Sequence, residues 1–161
     1  MFDIVYWPES VLKKVSEPVS DFDGLDYIVE RLYETMAHHR GMGLSAPQVG
    51  MLKRILVMRR EGEPFTMINP EIVSKAGSIR YSEGCLSFPG LFVEVERASN
   101  INVRWQDLSE EWNEDNFQGI AAVCIQHEID HLNGVTMLNY APQFQRETIT
   151  RKMRGKKYEE N

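Results

Sequence analysis

The sequence predicts an α+β fold, and three observations carry that prediction. A helical stripe of Leu25, Ile28, Val29, Leu32 and Met36 runs through residues 20–41. Residues 92–112 alternate apolar and polar side chains with period two. A second stripe, Ile120, Val123, Cys124, His127 and His131, runs up to Asn133-Gly134. Two or three helices mixed with several short strands belong to the α+β class.

In chain order, the stretch SDFDGLDYIVERLYETMAHHRG opens with Asp and Gly, which suit a helix start, and its stripe predicts one amphipathic helix ended by Gly41. GMGLSAPQVG follows and reads as a loop, with three glycines and a proline. KRILVMRR is an apolar run of strand length, and PFTMINPEIV is a second strand bounded by prolines. In FVEVERASNINVRWQDLSEEW, the alternation on either side of ASN predicts an antiparallel pair or a meander. FQGIAAVCIQHEIDHLNG is a helix stopped by Asn133-Gly134. PQFQRETITRKMRGKKYEEN is a helix or a fraying tail, basic from about residue 143 to 161.

The 161 residues suffice for one domain and one core, and no internal repeat or linker divides them. A net charge of -6 argues against a general nucleic-acid binder. No apolar run approaches a membrane span. The opening MFDIVYWPES has neither a basic start nor an apolar signal core, and Cys85 and Cys124 are the only cysteines. A reducing, cytoplasmic setting with free thiols is the expectation.

The chemistry concentrates in QHEIDHLNG. His127 and His131, four apart on a helix, share one face and can reach a single ion at about 2.0–2.1 Å. Glu128 is rotated away from that face, beside an ion rather than on it, where a carboxylate can take a proton from water. A polar helix end is the plainer reading of five residues. Both histidines, however, continue an apolar face, and buried imidazoles need partners.

Two ligands leave a catalytic site one short. The pattern H-E-x-x-H-x-x-G-x-x-H is followed as far as Gly134, but residue 137 is Met. The glutamates after the motif, Glu147, Glu159 and Glu160, all lie in the polar tail. Upstream, YSEGCLSFPG sets Cys85 among loop-forming residues, and a thiolate there could close a Cys-His-His site with a fourth position open to water.

With these residues assembled, the chain resembles the peptide deformylases. Three stretches carry the resemblance: GMGLSAPQ (residues 41–48), EGCLS (83–87) and HEIDH (127–131). They stand in the family's order and spacing, and the likeness spans about residues 4–142. One position departs: Ser45 stands where the family usually has alanine, adding a hydroxyl.

The resemblance implies short-stranded antiparallel or mixed sheets around a central metal-binding helix, with an N-terminal helix and a C-terminal helix or tail. It implies a metal-dependent hydrolase that removes the formyl group from the N-terminal formyl-methionine of nascent polypeptides. Cys85, His127 and His131 become the ligands of one divalent ion, Fe(II) natively, with Zn or Ni as isolated forms. Glu128 becomes the general base. The Gln48 amide and the Leu86 backbone N–H become donors to the developing oxyanion. Gly43 lets backbone approach the substrate, and Met42, Leu44, Leu86, Phe88, Ile120, Val123 and Cys124 are candidates for the methionine pocket. Glu83 and Arg97 could pair to brace the cysteine loop, or both could be solvated, in which case the pair contributes little.

The expected partners are formyl-Met peptides, and the expected state is a monomer without membrane attachment. Arg146, Arg151, Lys152, Arg154, Lys156 and Lys157 form a basic cluster that could touch ribosomal RNA weakly, with a solvated helix face as the plainer reading. An H-E-x-x-H zinc endopeptidase shares the helix but neither Cys85 nor Gln48. A non-catalytic metal-binding module has no need for the Glu128 and Gln48 that this chain retains.

Overall fold

The computed structural model describes residues 1–155. The helix α1 spans Leu25–His38. The strands β1 (Gly43–Ser45), β2 (Ile55–Arg60) and β3 (Glu63–Ala76) follow. After them come β4 (Ile79–Cys85), β5 (Phe88–Arg97), β6 (Asn100–Gln106) and β7 (Trp112–Gln118). The chain then forms the helix α2 (Gly119–Leu132), a short 3-10 turn and the helix α3 (Gln143–Gly155). Strands β1, β2, β3, β6 and β7 form one antiparallel sheet in that order, and β4 pairs with β5 in a separate two-stranded sheet.

Helix α1 follows its stripe: Leu25, Val29, Leu32 and Met36 are buried against β1 and β2. It stops earlier than its glycine suggests. Arg40 takes the left-handed position at φ 57, with its N–H on Ala37 O at 3.1 Å and the Gly41 N–H on Met36 O at 2.9 Å. That is a Schellman stop with arginine where glycine is usual. The loop expected over 41–50 is more ordered than a loop. It holds β1 and a 3-10 turn, Ala46–Val49, with Pro47 near its start.

The proline boundaries of the second strand are also crossed. β3 runs through Pro64 and Pro70, and a bulge lies between Ile68 and Glu71, where Asn69 sits at φ 51. The missing N–H of Pro70 therefore falls at an irregularity rather than in a regular ladder.

The expected pairing across ASN is corrected in a further way. β5 pairs with β4, whereas β6 pairs with β3 and β7. β6 goes on to pair with β7, the next strand along the chain. Alternation reports which face of a strand is buried, not which strand lies beside it. At this corner Gln126 of α2 holds Ala98, accepting from its N–H at 3.2 Å and donating to its carbonyl at 2.8 Å.

Helix α2 sits on the five-stranded sheet. Cys124, Ile125 and Ile129 pack with Leu56, Met67, Val103, Trp105 and Phe117. From Ala122 to Leu132 nearly every side chain is buried, which marks a central helix rather than a surface one. Its first turn is the exception, for Ile120 is 53% exposed. Helix α3 buries Ile149 and Met153 against Phe88, Val93 and Val95, and leaves Arg146, Arg151, Lys152 and Arg154 exposed. Lys156, Lys157, Glu159 and Glu160 lie outside the described residues. No helix among the described residues is long and apolar enough to cross a membrane.

Candidate active site

Three elements meet at one point. Cys85 ends β4 and pairs with Phe88 across the two-residue link Leu86-Ser87. His127 and His131 face it from successive turns of α2. The Cys85 Sγ and His131 Nε2 are 3.4 Å apart, and the two histidine Nε2 atoms are 3.2 Å apart. One ligand atom from each of the three lies within 4.8 Å of the others. Around a tetrahedral ion with metal–N of about 2.05 Å and metal–S of about 2.3 Å, the N···N and N···S edges are about 3.3 and about 3.6 Å. The observed spacings match those edges, so the donor set fits one small cation.

His127 is held from behind, whereas the buried His131 Nδ1 has no hydrogen-bond partner among the described residues. The His127 Nδ1 lies 2.8 Å from Glu83 Oε1, which leaves Nε2 free to face the centre. Arg97 grips Glu83 with two bonds, Nε to Oε2 at 2.7 Å and Nη2 to Oε1 at 2.8 Å. Its remaining Nη1 donates to Asp130 Oδ2 at 2.6 Å, and the Tyr140 hydroxyl donates to the same oxygen at 2.8 Å. Glu83 and Arg97 are thus a buried pair, rather than the solvated one that would contribute little.

The titrations follow from these contacts. Burial alone would raise Glu83, but the bonds from Arg97 and His127 outweigh it and hold the carboxyl below its usual range. His131 is lowered by burial and by the charges of His127 and Arg97, which keeps it neutral. Burial would also lower His127, but Glu128, Cys85 and Glu83 together raise it.

Glu128, next along the helix, is buried, and its Oε1 has no hydrogen-bond partner among the described residues. Burial is the main reason that its carboxyl is pushed up to about 7. Gly43 is what lets β1 pass this close: a Cβ there would stand 2.8 Å from both Cys124 Sγ and Glu128 Oε2.

Gln48, 1% exposed, enters from the 3-10 turn. Its Oε1 accepts from the Ser45 N–H at 3.1 Å and the Ser45 hydroxyl at 3.0 Å. Its Nε2 donates to Ser87 Oγ at 3.2 Å and approaches Cys85 Sγ at 3.4 Å. The N-terminal segment ties the two loops together, with Val5 N–H on Gln48 O at 2.7 Å and Trp7 N–H on Ser87 O at 3.1 Å.

All of this opens into a cleft of about 520 Å³. Gln48, Cys85, His127 and Glu128 lie on its wall, and so do Met42, Gly43, Leu86, Phe88, Val123 and Cys124. Two expected pocket residues are not there. Leu44 is fully buried in the core with α1, whereas Gly43, beside it on β1, lines the cleft. Ile120 is exposed at the first turn of α2, about two turns from His127 and about three from His131.

The sequence reading also missed residues that the fold brings in. Leu91, Phe92 and Tyr81 from the two-stranded sheet and His39 and Arg40 from the end of α1 complete the wall. Ser87, Asp130 and Tyr140 support it through the bonds above. Tyr81, Ser87 and Leu91 lie in or beside YSEGCLSFPG, so proximity to Cys85 was a usable signal. Arg40 and Tyr140 carried none.

A buried carboxylate beside a Cys-His-His group, in a cleft of an α+β fold, defines a hydrolase of the metal-centred kind. Comparison with known proteins narrows that class. A sequence model of polypeptide deformylase matches residues 1–147. A curated peptide deformylase from Thermotoga petrophila is 42% identical over 155 residues, 95% of this chain and 94% of the relative. The crystal structure of peptide deformylase from Ehrlichia chaffeensis superposes with a TM-score of 0.92 at 36% identity, covering 100% of this chain and 99% of that one. The Thermotoga maritima peptide deformylase structure gives 0.86 at 43% identity, covering 88% and 98%. The chain belongs to the polypeptide deformylase family, whose members are metal-dependent hydrolases.

Proposed function

We propose that this chain releases formate from the N-terminal formyl-methionine of nascent polypeptides. The observation that carries the reading is the convergence, at one cleft, of the Cys85-His127-His131 group, the Glu128 carboxylate, whose Oε1 has no partner among the described residues, and the inward-facing Gln48 amide. A divalent ion held by the three ligands would lower the pKa of a water towards about 7 and polarise the formyl carbonyl.

The chain's own groups do the rest. Glu128 takes the proton from the attacking water. As the formyl carbon becomes tetrahedral, its oxygen gains charge, and the Gln48 Nε2–H and the Leu86 backbone N–H donate to it. The C–N bond then breaks, Glu128 returns its proton to the amine nitrogen, and formate and a free N-terminus leave. Losing one oxyanion donor costs about a hundred- to a thousandfold in rate. Leu86, Phe88, Val123 and Cys124 form apolar wall for the methionine side chain. Ligand type admits Zn, Ni, Co and Fe. Fe(II) as the working ion rests on the resemblance, a cytoplasmic setting rests on the two free thiols, and a monomeric state is proposed with them.

The test is formate release from a formyl-Met peptide, with metal content measured on the same sample. Glu128→Gln is expected to keep the metal and abolish turnover. Turnover surviving that change would refute Glu128 as the base. Cleavage at internal peptide bonds without formate release would point to an endopeptidase instead.

A further inference from the structure

We propose that the Ser45 hydroxyl is a positioning residue for deformylation, orienting and polarising the Gln48 amide. This rests on the reading of Gln48 as an oxyanion donor. Ser45 is also the position where the chain departs from the motif it resembles, and that added hydroxyl is fully buried.

A buried glutamine amide has two ends of similar shape and opposite character. With Nε2 inward, it donates to the cleft. Turned over, it presents a carbonyl oxygen to the Cys85 sulfur, 3.4 Å away, and to the developing oxyanion. The Ser45 backbone N–H at 3.1 Å demands an acceptor and so selects Oε1 at that end. Because Oε1 carries no hydrogen, the Ser45 hydroxyl at 3.0 Å must donate to it as well.

Two donors on the carbonyl end act in two ways. They hold the amide plane in one orientation, and they draw electron density from the nitrogen, so that its N–H becomes a stronger donor. At the other end, Nε2 donates to Ser87 Oγ at 3.2 Å and to Cys85 Sγ at 3.4 Å, and the hydrogen on sulfur, the weaker acceptor, is the one that substrate can take. Ser45 holds the start of the 3-10 turn, and Pro47 stiffens it, so both donors are pre-placed. Removing the hydroxyl leaves Oε1 its backbone donor but also removes the cap of the 3-10 turn, so a small loss of stability accompanies it.

The test compares Ser45→Ala, Gln48→Ala and the double variant on a formyl-Met peptide with metal-loaded protein. Ser45→Ala is expected to lower kcat about three- to tenfold, the size of one neutral hydrogen bond, with KM and metal content unchanged. In the Gln48→Ala background the same change should have no further effect. Independently of activity, the Gln48 side-chain amide protons in 15N-labelled, zinc-loaded protein should exchange faster with solvent in Ser45→Ala. A kcat within twofold of the unaltered protein together with unchanged exchange would overturn the proposal. So would a loss in the double variant that multiplies the two single losses. If Gln48→Ala itself leaves kcat intact, the oxyanion assignment falls, and the role of Ser45 falls with it.

Discussion

Replacing Arg97 with methionine removes the charge at the hub of the buried network and keeps most of the side chain's length. Arg97 and Glu83 are 5% and 3% exposed. The substitution strips Glu83 of both guanidinium bonds and strips Asp130 of one. It leaves a buried carboxylate facing only His127 and the acidic Glu128 side of α2. Removing one partner of a buried pair costs about 3–5 kcal/mol, because the other charge stays desolvated and uncompensated. With an unfolding entropy of about 2.1 cal/mol/K per residue, a chain of this length should lose about 9–15 °C in Tm.

The sign with pH follows from Glu83. Its folded pKa lies below the usual value, so its contribution is present above the ordinary carboxylate range and is lost as pH falls through the folded value. The deficit of Arg97→Met should therefore shrink in acid. The double variant Glu83→Gln/Arg97→Met leaves no unpaired charge between the two and should recover more than half of the loss. The assay is thermal unfolding by circular dichroism on metal-stripped protein across pH 4–8, with metal affinity measured alongside. That affinity should fall about 10–100-fold, since His127 loses a fixed partner. A Tm drop below about 3 °C at pH 7, roughly 1 kcal/mol, would refute the account, as would a double variant less stable than Arg97→Met.

The remaining expectations are narrower. Cys85→Ala should lose the bound metal, read by elemental analysis, while circular dichroism shows the fold retained; full metal occupancy would mean that another residue is the third ligand. Gly43→Ala places a Cβ 2.8 Å from Cys124 Sγ and Glu128 Oε2 and should cut kcat/KM at least about tenfold with the fold intact; wild-type kinetics would show that β1 has slack there. The Tyr140 phenol is pushed up to about 12, chiefly by burial and then by its bond to Asp130. A raised value contributes stability that is present below the ordinary tyrosine pKa and lost as pH climbs towards 12. Tyr140→Phe should therefore lose the latest-titrating phenolate in an ultraviolet absorbance titration; an unchanged titration curve would contradict the Asp130 bond.

Much of this protein was legible before any coordinates. The stripes of α1 and α2, the stop at Asn133-Gly134 and the placing of His127, Glu128 and His131 all depend on neighbours within one or two helical turns. Backbone dihedrals set such geometry locally, so residue spacing reports it. Cys85 was legible by a different route, through the loop-forming residues around it and through the resemblance of three separated stretches to one family.

What the tertiary structure decided lies between distant segments. Period-two alternation in β5 and β6 predicted two strands but not that they enter different sheets, because a strand's partner is chosen by segments tens of residues away. Ile120 shares a helical stripe with the histidines yet faces solvent, whereas Ala122 in the same turn is buried with the sheet residues. Leu44 turns from the cleft into the α1 core because side chains alternate along β1. The hold of Arg97 on Asp130 and the bond from Ser45 to Gln48 appear only once chain closure has buried them. Away from water, an unpaired polar atom is expensive, so each partner found there is one that the fold had to supply.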